Sequence, residues 1–256
     1  MLSPNSQSAA ALYAAFDTDP TPVVEFLAWL ATAEGLGSPA PRLLDVGCGV
    51  GRLLPPLARR GWRALGLEPD PEYRAMAAAW VTEPGAEVRG GGFGEITRVV
   101  ADEPPFDLIV AINGSFAYLA TPAERADALT QCRSVLRPGG FLVLDVPHLV
   151  RILFEYAGPW SAERELDGRH VRLTRRHRVD YPRALFITDE RFDVREPDGS
   201  TWALEREHPY AITTYPELAY QLERARFSRT RTFTAFTLRA PEPIGPGRLI
   251  LVAQAS

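Results

Sequence analysis

The sequence predicts an α/β fold: a mostly parallel sheet covered by helices on both faces, with an antiparallel β segment inserted late in the chain. Three observations predict it. Short apolar runs alternate with helical stretches as far as residue 147. The first of these runs, "RLLDVG", opens into "GCGVG", three glycines at alternate positions, and a helix follows. From about residue 150 the helical rhythm stops, and long extended stretches contain two Asp-Gly pairs, the signal of β-hairpins.

The elements follow in order. "QSAAALYAAFD" and "TPVVEFLAWLATAEG" read as N-terminal helices within residues 1–35. Thr21 is a candidate cap for the second, Pro22 suits its first turn, and Val23, Phe26, Leu27 and Leu30 share one face. "RLLDVG" is a buried strand. "RLLPPLARRG" is a helix if Pro55 and Pro56 fall in the first turn, where backbone donors lack partners, and Gly61 closes it. "RALGLE" is the second strand; Asp70 and Pro71 open the next helix; "AEVRGG" and "FDLIVAI" are the third and fourth strands. Thr121 and Glu124 form a capping box for the helix "TPAERADALTQCRSVL". "RPGG" then reads as a turn before the fifth strand, "FLVLDV". Residues 151–210 form the antiparallel insertion of three or four strands. Thr214 and Glu217 form a second capping box, and two strands, "RTRTFTAFTL" and "RLILVAQA", come last.

The 256 residues fit one large domain, or one domain with a substantial insertion, and 46% hydrophobic residues give ample core. Every basic residue is Arg, yet the net charge is −4, which disfavours non-specific nucleic-acid binding. Cys48 and Cys132 are too few for a disulfide framework. The histidines at 148, 170, 177 and 208 show no metal-ligand spacing, so no metal is expected. There is no leader pattern and no apolar run of membrane-spanning length; a cytoplasmic setting without membrane partners is the expectation.

A strand entering a glycine turn and then a helix is a nucleotide-binding arrangement. Glycine tolerates positive φ and lets a ligand approach the main chain, and a helix start offers unpaired donors. Glu68 closes the second strand, 21 residues after Gly47, where a carboxylate accepts ribose hydroxyls. The dinucleotide fingerprint needs a small residue at position 52, where this chain has Arg, and the Gly-Lys-Ser/Thr of a phosphate loop is missing.

At this point the chain resembles the class I S-adenosylmethionine-dependent methyltransferases. The likeness rests on "LLDVGCGVGRL", "GLEPDPE", "FDLIVAINGSFAYL" and "LRPGGFLVLDV", four blocks spanning residues 42–147. The resemblance implies a Rossmann-like seven-stranded sheet of order 3-2-1-4-5-7-6 with strand 7 antiparallel. It implies S-adenosyl-L-methionine as cofactor, lying across strands 1, 2 and 4. Asp45 and the loop Gly47, Cys48, Gly49 and Gly51 would hold its methionine part, Glu68 its ribose, and Pro69, Gly92 and Phe93 would border the adenine. Many relatives carry Asp where Phe93 stands, which leaves that contact to backbone and ring. Asn113, Gly114 and Ser115 would face the methyl group, and Tyr13 completes the cofactor-binding set.

An in-line methyl transfer needs orientation above all, and a hydroxyl acceptor also needs a base. His148, just beyond the fifth strand, and Tyr118 are the candidate catalytic residues; His148 is the histidine that chain order places near the cleft. Tyr156, Trp160 and Tyr210 are candidate acceptor contacts. The insertion is expected to cover the acceptor side and not the cofactor side, or else to form a dimer surface, the chain being a monomer or homodimer. A small-molecule acceptor is expected, methylated on N or O, because the Asp/Asn-Pro-Pro-aromatic signature of nucleic-acid amino-methylation is replaced by "NGSF". A non-catalytic cofactor-binding protein is the alternative, and a nicotinamide-dependent dehydrogenase a third, disfavoured by Arg52.

Overall fold

The computed structural model describes residues 8–16, 19–36, 40–148, 158–237, 241, 244 and 248–256. Tyr156 lies outside the described residues. Two helices come first, α1 (Ala9–Phe16) and α2 (Thr21–Ala33). They are followed by β1 (Arg42–Val46), α3 (Leu54–Ala58), β2 (Arg63–Glu68), α4 (Pro71–Trp80), β3 (Ala86–Gly90), α5 (Ile96–Val99), β4 (Phe106–Ala111), α6 (Pro122–Val135) and β5 (Leu136–Val146). The insertion supplies β6 (Trp160–Leu166), β7 (Arg169–Asp180), β8 (Leu185–Arg195) and β9 (Thr201–Ala211), and α7 (Tyr215–Arg224), β10 (Phe227–Phe233) and β11 (Leu249–Ala255) finish the chain.

Seven strands form one sheet in the order β3-β2-β1-β4-β5-β11-β10, and β6 to β9 form a second, four-stranded sheet. β1 to β5 pair in parallel; β11 runs antiparallel to both β5 and β10. This is the topology that the resemblance implies. The large sheet is apolar on both faces because helices cover both. Leu44, Leu67, Ile109, Leu142 and Leu251 pack with Ile96, Leu129 and Leu218 on one face. Their neighbours Leu43, Leu108, Val110, Val143 and Ile250 pack with Phe26, Leu27 and Leu57 on the other.

Local chemistry explains most boundaries. Asp70 accepts the Glu72 N–H at the start of α4, with Pro71 in the first turn. Thr121 and Glu124 cap α6 reciprocally. Three expectations need correction. Thr21 is not a cap: it is the first residue of α2, and its hydroxyl donates to Asp19 Oδ1 at 2.7 Å. The second capping box is only half present. Thr214 Oγ1 accepts the Glu217 N–H at 3.4 Å, but the Glu217 carboxylate accepts from the buried Arg125 Nη2 at 2.6 Å and so ties α7 to α6. "RPGG" does not end an element. It is an irregularity inside β5: Leu136 pairs with Phe106, the register shifts, and Phe141 pairs with Leu108.

In the small sheet, Asp167 and Gly168 both take positive φ, 50° and 80°, the two-residue hairpin turn that fits strand twist. One face of this sheet packs on α1, where Leu12 and Phe16 meet Val171, Leu173, Phe192 and Val194. The opposite face carries exposed ion pairs such as Arg191–Glu205 and Arg178–Asp189.

Candidate active site

Between the carboxyl ends of β1, β2, β4 and β5 and the inner face of the small sheet lies a cavity of about 1050 Å³. From the large sheet it is lined by Asp45, Gly47, Cys48, Gly49, Glu68, Pro69, Gly92, Phe93, Asn113, Gly114, Ser115, Tyr118 and His148, and from α1 by Tyr13. The chain folds these together because each parallel strand ends on the same edge of the sheet.

The glycine turn is set by close packing. Gly47 sits at φ 76°, and a β-carbon there would lie 2.7 Å from Ser115 Cβ; Ser115 Oγ in turn donates to the Val46 carbonyl at 2.9 Å. Gly49, by contrast, faces open space, the nearest atom to an added β-carbon being Tyr73 Cδ1 at 4.0 Å. Gly51 does not line the cavity, against expectation. Its α-carbon faces Val81, whose Cγ2 would stand 2.8 Å from an added β-carbon, so this glycine lets the turn pack under α4. Cys48 is buried, its sulfur seated over Gly66.

Glu68 bonds the turn itself. Its Oε2 accepts the Gly49 N–H at 2.8 Å and its Oε1 the Asp70 N–H at 2.9 Å. Burial pushes its carboxyl upward, and those two backbone donors oppose the shift. Asp45 is almost fully buried, and that burial raises it to about 7; Arg52 opposes the rise and the Glu68 carboxylate adds to it. Phe93 stands edge-on to Phe116 with ring centres 5.5 Å apart. Tyr13 meets Tyr73 edge-on at 5.7 Å.

Asn113 and Gly114 take successive positive φ values, 55° and 80°. The turn is pinned from β5: Asp145 Oδ2 accepts the Asn113 N–H at 2.8 Å, and the Asp145 carbonyl accepts the Gly114 N–H at 3.0 Å. Arg248 pairs with the buried Asp145 and donates to Asn113 Oδ1 at 3.0 Å.

The small sheet contributes Arg175, His177, Phe186, Thr188, Glu190, Arg206, His208 and Tyr210 to the same cavity. Chain order singled out His148 alone; the structure brings His177 and His208 to the cavity as well. His148 is buried there, and its Nδ1 meets no hydrogen-bonding group among the described residues. Tyr118 hydrogen-bonds His208 Nδ1 at 2.6 Å and the Tyr210 hydroxyl at 3.2 Å. His208 Nε2 meets Glu190 Oε2 at 2.9 Å, and Arg175 Nε donates to Glu190 Oε1 at 2.5 Å. Trp160 does not line the cavity; it is half exposed under the Arg175 guanidinium.

The small sheet also reaches the other half of the cavity, which corrects the expectation that it would avoid that side. Arg206 donates to the Tyr73 hydroxyl at 3.1 Å and to Asp70 Oδ2 at 3.3 Å, on the helix that follows Glu68. Burial pushes the Tyr73 phenol up to about 12, against the pull of Arg206. No cluster of His, Cys, Asp or Glu fit to hold a metal is found, and no helix is long and apolar enough to cross a membrane, among the described residues.

Residues 43–140 match the family described as a methyltransferase domain. The chain is 38% identical to a ubiquinone biosynthesis O-methyltransferase of Methylobacterium sp. (strain 4-46) over 98 residues, 38% of this chain and 37% of that one. It is 29% identical to the enzyme of the same name from Caulobacter sp. (strain K31) over 168 residues, 62% of each chain. It thus spans about a third to under two thirds of these curated relatives. Among solved structures, the sugar N-methyltransferase KedS8 from Streptoalloteichus sp ATCC 53650 superposes with a TM-score of 0.77 at 20% identity, covering 99% of this chain and 96% of that one. CalS10, an amino pentose methyltransferase from Micromonospora echinaspora, superposes with a TM-score of 0.72 at 23% identity, covering 96% of this chain and 95% of that one. At these identities the superpositions show a shared fold, the small sheet included.

Proposed function

We propose that this chain is a class I S-adenosylmethionine-dependent methyltransferase and that it methylates an oxygen or nitrogen atom of a small-molecule acceptor. The observation that carries this reading is the single cavity with two unlike walls. One wall is the glycine turn with its buried carboxylates; the other is the aromatic and acid–base surface of Tyr118, Tyr210, His208 and Glu190.

The residues present fit the cofactor. The turn at Gly49 leaves room against the main chain. Glu68 keeps free lone pairs beside its two backbone bonds and is the group to accept the ribose hydroxyls. Pro69, Gly92 and Phe93 offer an apolar border for the adenine. Asp45, with Gly47 and Cys48, would hold the methionine part. When bound, S-adenosylmethionine supplies a sulfonium methyl: the acceptor–carbon bond forms as the carbon–sulfur bond breaks, sulfur keeps the electron pair, and S-adenosylhomocysteine remains. The chain's own contribution is to hold the acceptor in line with that bond, worth about 7–11 kcal/mol in favourable cases, and to exclude water. The turn Asn113–Gly114–Ser115, fixed by Asp145, sits between the two walls and is the floor on which the reacting groups meet.

Isothermal titration with S-adenosylhomocysteine tests the reading. Binding is expected in the native chain, with NAD silent. Glu68→Ala is expected to weaken it by about 1.5–3 kcal/mol, the usual worth of charge-assisted hydrogen bonds. Binding of NAD in place of S-adenosylhomocysteine, or no effect of Glu68→Ala, overturns the assignment.

A further inference from the structure

Building on the methyltransferase reading, we infer that Tyr118, in the segment after β4, and His208 and Glu190 of the small sheet form a proton relay that receives the proton an acceptor loses on methylation. The acceptor class that needs such a relay is one whose reacting atom still carries a proton to shed, a hydroxyl or an ammonium group. A neutral amine needs no base in the transfer step.

The geometry fixes the direction of the relay. Glu190 is buried, and burial alone would push its carboxyl upward; the hydrogen bond from His208 and the Arg175 guanidinium outweigh this and hold it below the usual range. It is therefore a carboxylate that only accepts. His208 Nε2, 2.9 Å away, then carries a proton, and in the neutral ring, the form that the relay uses, this leaves Nδ1 as an acceptor. The Tyr118 hydroxyl, 2.6 Å from Nδ1, donates to it. Tyr118 stays a neutral phenol: the residue as a whole is 46% exposed, but loss of water around its hydroxyl, set between His208 and Tyr210, and then Tyr210 itself push it upward. A neutral phenol is a poor base by itself but a good conduit. Its oxygen accepts the acceptor's proton while its own proton passes to His208 Nδ1. The relay ends as an imidazolium paired with the Glu190 carboxylate, and the positive charge that the methyl donor gives up is retained there.

Tyr118 is the catalytic residue in this scheme: it lines the cavity and is the relay member assigned to meet the acceptor. His208 and Glu190 act through it. Two neighbours touch the relay itself: Arg175 pairs with Glu190, and the Tyr210 hydroxyl bonds that of Tyr118 at 3.2 Å. Arg206 is engaged by Asp70 and Tyr73, and His177 by Thr188 Oγ1 at 3.0 Å. The cross-strand register explains how the trio is assembled. His208 pairs with Thr188, Glu190 follows two residues along the same face of β8, and Arg175 pairs with Glu190 from β7.

Two measurements test the relay. The first is nitrogen NMR of histidine-labelled protein with S-adenosylhomocysteine added: His208 is expected protonated at Nε2 and bare at Nδ1, and Tyr118→Phe is expected to move the Nδ1 resonance alone. A proton found on Nδ1 of the native chain overturns the relay. The second is transfer of labelled methyl to two probe acceptors, catechol for a hydroxyl and glucosamine for an ammonium. Tyr118→Phe and His208→Gln are expected to lower kcat about 100-fold or more, with S-adenosylhomocysteine affinity within about threefold. Glu190→Gln keeps the Nε2 tautomer but is expected to lower kcat about tenfold or more, because an uncharged amide supports an imidazolium less well. His170→Gln on the outer part of the small sheet is the unchanged control. Transfer that survives in Tyr118→Phe or His208→Gln, or native protein that binds S-adenosylhomocysteine and methylates neither probe, overturns the relay. Failure to bind S-adenosylhomocysteine at all defeats the methyltransferase reading instead, so the two failures are separable.

Discussion

The two sheets bury their side chains in opposite ways. Every residue of β4 is buried, and the large sheet is apolar on both faces. The small sheet alternates: along β9, exposed residues such as Thr201, Ala203, Glu205 and Glu207 separate partly buried ones that turn toward α1 and the cavity. The large sheet therefore meets the cavity with strand ends and tight turns, bare backbone at Gly49 beside the side chains of Asp45, Glu68 and Phe93. The small sheet presents side chains, one from every second residue. The first kind of wall suits a ligand whose shape is fixed. The second kind can change specificity by single substitutions without disturbing the strands that carry them.

Changing the large-sheet wall should cost most. Burial holds the Asp45 carboxyl at about 7, against an ordinary 3.8. Between those values the folded chain keeps a proton that the unfolded chain has released, so stability falls as pH rises through the window. The full loss, about 4 kcal/mol, is reached above 7. Urea unfolding of the cofactor-free protein at pH 4.5 and pH 8 is expected to show that fall, and Asp45→Asn is expected to remove it. Parallel pH profiles for the two proteins would mean that the carboxylate is solvated after all.

Gly47→Val comes next. A β-branched residue at φ 76°, with its β-carbon 2.7 Å from Ser115 Cβ, combines left-handed strain with overpacking. The expected cost is about 3 kcal/mol in thermal unfolding, together with loss of S-adenosylhomocysteine binding. A variant that melts and binds like the parent would show that the turn tolerates side chains.

The smallest effect belongs to the link between the sheets. Arg206→Ala removes a half-exposed pair with Asp70 and a hydrogen bond to Tyr73. It is expected to weaken S-adenosylhomocysteine binding by about 0.5–1 kcal/mol, read by titration. No change would mean that the small sheet serves the acceptor alone.

The difference between the sheets also decides what could be read in advance. Gly47, Gly49 and Glu68 were legible because their positions follow from one strand–turn–helix unit and the strand beside it. Gly51 lies outside the cavity because it faces Val81, which the same pattern cannot distinguish from a glycine that faces open space. Tyr118 was legible as a strand-end aromatic. Its partners Glu190 and His208 were not, since their meeting depends on the register of β8 against β9 across the turn at 196–200. The period of two in "LFITDERFDVR" and "TWALEREHPY" held half of the signal: it sets His208 with Arg206 and Tyr210 on one face of β9, and Glu190 with Thr188 on one face of β8, and the register then makes these the same face of the sheet. Arg206 was hidden among the chain's 28 arginines, which nothing in the sequence tells apart.

The pairing of β11 with β5 also constrains how the chain is built. Val146 and Leu249 are partners across the sheet, yet residues 147–248 are made between them. During synthesis the first five strands can assemble while one edge of β5 stays unpaired, and β10, bonded in the sheet only to β11, has nowhere to dock until β11 is made. The ribosome thus finishes the small sheet, and half of the cavity wall, before the large sheet is closed. Contacts this distant in sequence form slowly, and an open strand edge invites pairing between nascent chains. Slower translation of the codons for α7, β10 and β11 is therefore expected to lower the yield of folded protein, apart from any property of the finished molecule.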